Sequence, residues 1–199
     1  WEAYREKVNK GYHHQFARNV LQLNRRNGTF SEIGRYAGVD ATDWSWGALI
    51  MDLDNDGWRD LFVANGINKD LLDLDYLDLY SNPAAMRSMI QSEEQAILTL
   101  IDRMPSVKVP NYAFHNNGDL TFSNLAEQWG LGTPSFSNGA AYGDLDNDGD
   151  LDMVVANQNQ ANRVYLNDGL GSFGDTGQLL GSYDSRSVVL GDVDGDNDL

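Results

Sequence analysis

Nine residues, Asp52–Asp60 (DLDNDGWRD), return at Asp144–Asp152 as DLDNDGDLD and begin again at Asp192–Leu199 as DVDGDNDL. Four carboxylates in the first nine-residue copy and five in the second repel one another unless a cation neutralises them. Any fold for this chain must therefore present these segments as surface loops with their acids turned inward. It must also do so at a regular interval.

Calcium is the ion this spacing suits. It takes six to eight oxygen ligands at roughly 2.3–2.6 Å, and side chains at alternate loop positions can wrap it. In the first loop the candidate ligands at positions 1, 3, 5, 7 and 9 are Asp52, Asp54, Asp56, the carbonyl of Trp58, and Asp60. In the second they are Asp144, Asp146, Asp148, the carbonyl of Asp150, and Asp152. Gly57 and Gly149 stand at position 6, where the chain must turn sharply enough to aim the later oxygens inward. An EF-hand would need Glu at position 12 and flanking helices. Here position 12 is Val63 or Val155, and the flanks WGALIM, LFVAN, NGAAYG and MVVAN read as strands. Each loop is thus expected to join two strands of a hairpin, with the position-9 acid closing the shell. A merely solvated Asn/Gly-rich turn would explain one copy, but two in register argue for metal. The third loop has Asn197 where Gly is expected and no position 9, so Asp192, Asp194 and Asp196 are read as ligands of an incomplete site.

The repetition reaches beyond the loops. Asn, Asn and Phe recur upstream at Asn19, Asn24, Phe30; at Asn111, Asn116, Phe122; and at Asn162, Asn167, Phe173. A Ser lies seven residues before every loop, at Ser45, Ser137 and Ser185, and Asn65 and Asn157 follow the complete loops. The unit is about 48 residues, measured from Asp144 to Asp192. A period of this length with short strands is the mark of a β-propeller. The expected fold is all-β, made of blades of four antiparallel strands. One strand precedes each acidic loop, one follows it, a third ends near NNG or NDG, and a fourth carries the Phe. The blade end lies at about 15–35, one blade at about 45–125, another at about 137–175, and the start of the next at 185–199. A meander of this kind buries its faces only by stacking, and a propeller needs about four blades or more. The chain is accordingly read as part of a larger propeller whose remaining blades complete it.

DLDNDGWRDLFVANG, MPSVKVPNYAFHNNGDLTF and PSFSNGAAYGDLDNDGDLDMVVAN carry a resemblance to the FG-GAP/VCBS repeat family, the calcium-loop propellers related to integrin α-subunit heads. More narrowly they resemble the bacterial VCBS proteins that end in an ASPIC/UnbV domain, akin to cartilage acidic protein. The resemblance covers nearly all of residues 15–199 and implies the propeller fold and Ca2+. No ASPIC/UnbV domain is visible in this stretch.

The first full unit is longer than the second. Asp52 to Asn111 is 59 residues against 18 from Asp144 to Asn162, an insertion of about 41 within 67–110. Its period is helical: Asn82 caps a helix opening at Pro83, Ser92 and Gln95 form a capping box, and Pro105 stops the second helix. A flap with its leucines packed on the blade and its acids solvated is the expected arrangement, and a binding surface is the alternative. Because the loops joining strands two and three lie opposite the hairpin loops of a meander, the insertion projects from the face away from calcium.

The net charge of −16, from 30 acids and 14 bases, falls only to −12 with two Ca2+ bound. That balance disfavours nucleic acid, whose phosphates call for Lys and Arg. No apolar run is long enough to span a membrane. Cysteine is absent, and the three histidines, His13, His14 and His115, form no HExxH-type spacing. Trp46 and Trp58 are read as blade packing. The expectation is a non-catalytic, calcium-stabilised binding or adhesion module for an extracellular protein or polysaccharide ligand. It would be secreted or cell-surface, or associated with the outer membrane if bacterial. The alternative is the propeller scaffold of a carbohydrate-active enzyme such as a polysaccharide lyase.

Overall fold

The computed structural model describes residues 2–12, 17–89, 93–195 and 199. They fall into two compact units, Trp1–Ala41 and Thr42–Leu199. The first holds helix α1 (Glu2–Asn9), strands β1 (Gln22–Asn24) and β2 (Phe30–Glu32), and the short helix α2 (Gly34–Ala37). The sequence did not signal α1. β1 and β2 pair antiparallel with Asn24 opposite Phe30. At the hairpin tip Arg26 and Gly28 have φ of 59° and 84°, and Asn24 Oδ1 accepts the Arg26 N–H at 2.8 Å.

The second unit is mostly β. In chain order it runs β3 (Ser45–Met51), β4 (Asp60–Asn65), helices α3 (Leu74–Ser81), α4 (Pro83–Met89) and α5 (Glu93–Arg103), then β5 (Tyr112–Asn116) and β6 (Phe122–Asn124). There follow β7 (Ser137–Gly143), β8 (Asp152–Asn157), β9 (Arg163–Asn167) and β10 (Phe173–Asp175). Two four-stranded sheets result, β3-β4-β5-β6 and β7-β8-β9-β10, each an antiparallel meander. The sheets share fine structure as well as order. Pairing slips by one residue between Ser45 and Ala48 in β3, and between Ser137 and Gly139 in β7. A Cβ on Gly47 would come within 3.1 Å of the Gly139 Cα, so the Gly of SWGA and SNGA lets neighbouring inner strands approach.

β4 and β8 are buried at every residue, as befits central strands covered on both faces. Met51, Leu53, Phe62, Ala64 and Ala113 of the first sheet meet Met153, Val155, Tyr165 and Phe173 of the second, with Trp129 and Leu131 between. Burying such side chains contributes roughly 1.5–3 kcal/mol for each large one.

The recurring polar residues bind backbone around this core, from the buried bond of Asn111 to the exposed one of Asn116. Asn111 Oδ1 accepts the Asn65 N–H and Asn162 Oδ1 the Asn157 N–H, both at 2.9 Å. Asn116 and Asn167 each accept the N–H of the hairpin glycine two residues on, Gly118 and Gly169. The repeat in the sequence is therefore a repeat of hydrogen-bond partners, and at the buried Asn65 N–H the loss of that partner would cost about 1–3 kcal/mol.

Three regions differ from expectation. The described residues 185–195 contain no strand, although Ser185 donates its N–H to the Asn157 carbonyl at 3.3 Å. A strand needs a partner to close its ladder, and among the described residues this segment pairs with none beyond that single bond. The insertion is tied at its base by Asp70 N–H to Pro105 carbonyl and Ser106 to Asn68, and Asn82 Oδ1 accepts the Ala84 N–H. Its leucines, however, do not all pack down. α3, capped by Asp73, and α5 flank an open groove of about 350 Å³, where Leu77, Tyr80, Ile97 and Ile101 remain exposed. Ser92 of the expected capping box lies outside the described residues. Finally, Trp46 and Trp58 keep 53% and 54% of their surface exposed, so neither is a packed core residue. Trp129 is the buried tryptophan of this unit, at 6%.

Candidate metal centres

Both complete loops connect the first two strands of a sheet. Backbone shape matches in each: Asn55 and Asn147 at position 4 have φ of 57° and 62°, and Gly57 and Gly149 have 91° and 94°. Asn tolerates this left-handed region better than most residues, and Gly enters it freely. The position-1 carboxylate then receives the turn's own N–H groups. Asp52 Oδ2 accepts from Gly57 at 3.0 Å, and Asp144 accepts from Asp148 and Gly149, both at 3.1 Å. At position 5, Asp56 accepts the Trp58 N–H and Asp148 the Asp150 N–H.

Position 9 does more than face the loop. Asp60 and Asp152 are completely buried. Asp60 Oδ2 accepts the Leu53 N–H at 2.9 Å and its Oδ1 the Asn116 N–H at 2.8 Å. Asp152 repeats the pattern, with Leu145 at 2.7 Å and Asn167 at 2.9 Å. One carboxylate thus pins the start of the loop to the end of the third strand. Each oxygen retains a second lone pair.

Carboxylate oxygens of Asp52, Asp54 and Asp56 converge within 4.8 Å of one another, as do those of Asp144, Asp146 and Asp152. Two oxygens bound to one calcium at about 2.4 Å are at most about 4.8 Å apart, so either cluster is compact enough for a shared ion. Asp52 Oδ1 and Asp54 Oδ1 are buried and accept no hydrogen bond. Such oxygens fit a cation and are costly without one. Desolvation holds the Asp146 carboxyl above its ordinary 3.8, with repulsion from Asp148 and Asp152 adding to the rise. Burial likewise raises Asp60, against the pull of the Asn116 and Leu53 N–H groups, while Asp54 adds to the rise and His115 opposes it. The Asp60 carboxylate also meets Asp54 and His115 within 4.8 Å. His115 was not singled out from sequence; the only hint was that it stands where the second unit has Leu166.

The position-7 residues Trp58 and Asp150 each lie over the hairpin glycine of their own sheet, Gly118 and Gly169. Asp150 Oδ1 also accepts the Asn55 Nδ2 hydrogen at 2.6 Å, and Asn167 Nδ2 donates to the Leu53 carbonyl at 3.0 Å, so the two loop regions are bonded to each other. In the third segment Asp192 Oδ1 accepts from Asp194 and Gly195, with Gly195 at φ 84°. Asp196 lies outside the described residues.

Repeated antiparallel four-stranded sheets, each with an acidic hairpin loop and buried Asn partners, define a class of repeat protein. The FG-GAP-like repeat matches residues 12–63, 104–155 and 144–199, and the chain belongs to that family. The matches pass over 64–103, where α3, α4 and α5 lie. Among characterised proteins the chain is similar to cartilage acidic protein 1 of Homo sapiens, 36% identical over 96 residues, or 45% of this chain and 14% of that protein. The Mus musculus and Xenopus tropicalis proteins of the same name are 35% and 33% identical over 96 residues. The matched region spans about 15% of the length of these relatives.

Proposed function

We propose that this chain forms blades of a calcium-stabilised β-propeller serving as a secreted or cell-surface binding or adhesion module. The observation that carries the reading is the pair of acidic loops in the same backbone conformation, with buried Asp52 and Asp54 oxygens that accept no hydrogen bond. Calcium there screens the clustered carboxylates and fixes the hairpin between the first two strands. With a Kd of about 0.1 mM and about 2 mM calcium, each site adds roughly 1.8 kcal/mol of stability. A Kd in that range would leave the loops empty in the cytosol and filled outside it, which is the ground for proposing export. The ion's role is structural, and the module is non-catalytic.

Ligand recognition belongs to the opposite ends of the strands. A cleft of about 460 Å³ there is lined by Trp46, Asn68, Lys69, Asn138, Gln158 and Arg186, among others. Trp46 donates Nε1–H to the Gly66 carbonyl at 2.5 Å and stacks on Trp44 at 6.3 Å, which holds an exposed indole ready for an apolar or sugar face. Lys69 and Arg186 bring positive charge to an acidic protein, which favours an acidic glycan or peptide.

Calorimetric titration tests the metal reading. Two Ca2+ should bind the wild type, and Asp54→Ala together with Asp146→Ala should abolish binding; an unchanged isotherm overturns it. Glycan and protein arrays with and without EDTA test the module, and Trp46→Ala should remove the signal. Turnover of a polysaccharide would replace the binding module with an enzyme.

A further inference from the structure

The residue before the recurring Asn that ends the third strand distinguishes the two sheets, being His115 in β5 and Leu166 in β9. His115 Nδ1 lies 3.1 Å from Asp54 Oδ2 and 3.6 Å from Asp60 Oδ1. That nitrogen is buried and makes no hydrogen bond, and Asp54 Oδ1 beside it is buried without one as well. Nδ1 thus faces both carboxylates without an aligned hydrogen bond, at separations that suit either an ion pair with a protonated ring or a cation shared by all three groups. Asp60 is fully buried, and its Oδ1 keeps a lone pair beyond the bond from Asn116. The imidazole is steadied by Trp129, which meets it edge-on at 5.9 Å and 85°.

A nitrogen and two carboxylates at these separations have the dimensions of a ligand set. Donors bound at about 2.0–2.1 Å in tetrahedral geometry stand about 3.3 Å apart. Imidazole selects against calcium, a hard ion that takes oxygen, and towards borderline first-row dications. We propose that Asp54, Asp60 and His115 form a binding site for a transition dication of the zinc type, built onto the first acidic loop and lacking its nitrogen donor in the second, where Leu166 stands. The inference rests on the calcium reading only in its corollary. Because Asp54 also belongs to the Asp52–Asp54–Asp56 cluster, zinc and calcium compete at the first loop while the second keeps its calcium.

The test uses zinc chloride and calcium chloride titrated separately into the full chain, in wild type and His115→Leu. Leucine is the residue of the second sheet at this place, so the variant keeps a side chain the strand accommodates. The wild type should bind one Zn2+ that His115→Leu weakens at least tenfold, while the Ca2+ isotherm stays that of the wild type. Pulsed EPR of Mn2+ on the wild type supplies a second readout, a coupling to a single 14N nucleus that the variant loses. Equal Zn2+ affinity in His115→Leu, as zinc on His13 and His14 would give, overturns the proposal, and so does bound Mn2+ without nitrogen coupling. If calcium fails to bind the wild type, the calcium reading falls while the zinc and EPR results still decide this one.

Discussion

The two acidic loops have the same backbone and the same buried position-9 aspartate, yet their carboxylates group differently. In the second loop Asp152 joins Asp144 and Asp146 around one centre; in the first, Asp60 meets Asp54 and an imidazole, and Asp52, Asp54 and Asp56 form a neighbouring cluster. Part of the difference lies outside either loop, in the third strand, where His115 adds an imidazole beside Asp54 and Asp60 and the second sheet has Leu166. Like backbone at the two loops therefore does not give them like neighbours. Positions 7 diverge in the same manner: Trp58 covers Gly118 with an aromatic ring, whereas Asp150 covers Gly169 and reaches the other loop through Asn55.

Removing the shared element should have the largest effect. Asp60→Ala and Asp152→Ala each remove a fully buried carboxylate and orphan one buried and one part-buried backbone N–H, and each should cost about 3–5 kcal/mol in urea denaturation. A cost below about 1 kcal/mol in one variant alone would end the equivalence of the two sheets. Next come the single ligand deletions. Asp54→Ala and Asp146→Ala should each remove one of two calcium sites, and with it about 1.8 kcal/mol of the calcium-dependent stability under the conditions given above. Differential scanning calorimetry with and without EDTA reads this directly; loss of both sites from one substitution would show that the loops bind as a coupled pair.

Smaller effects probe the turn itself. A Cβ at Gly57 or Gly149 would meet nothing within 4 Å, so alanine there should cost only the positive-φ penalty, about 1 kcal/mol, and equally in both loops. The smallest difference concerns the tips of the adjoining hairpins. The Thr121 hydroxyl and N–H hold Asp119 below its ordinary 3.8, and the Leu170 and Ser172 N–H groups do the same for Asp168. A depressed carboxylate stabilises the fold above its unfolded value, and the contribution is lost as pH falls through the folded one. Asp119→Ala and Asp168→Ala should therefore lower the melting temperature slightly at pH 7 and leave it unchanged at about pH 2. Screening by solvent keeps both shifts small, since both side chains are exposed.

Much of this arrangement is legible in the chain because the determinants are local. DxDNDG dictates its own turn, and Asn–Gly tips dictate theirs. Asn111, Asn116, Asn162 and Asn167 announce themselves by spacing because each caps backbone at a fixed place in the meander. His115 could not be read in this way: its nearness to Asp54 exists only once β5 has been laid beside β4, across the helical insertion. The exposure of Trp46 and of the α3–α5 leucines was equally hidden, since an apolar pattern states what prefers burial and not what is available to cover it. Residues 185–195 show the reverse case, a strand-like pattern that forms no strand among the described residues.

The position-9 aspartates also close loops of very different length. Asp152 reaches Asn167 across 15 residues, but Asp60 reaches Asn116 across 56, because the helices intervene. The longer closure spans nearly two doublings of loop length, which adds about 1 kcal/mol of entropy to be met before that bond forms. The second sheet should then assemble first and offer β7 as a surface on which β3 and β4 settle. By lengthening that closure, the helical insertion favours later assembly of the sheet that carries it.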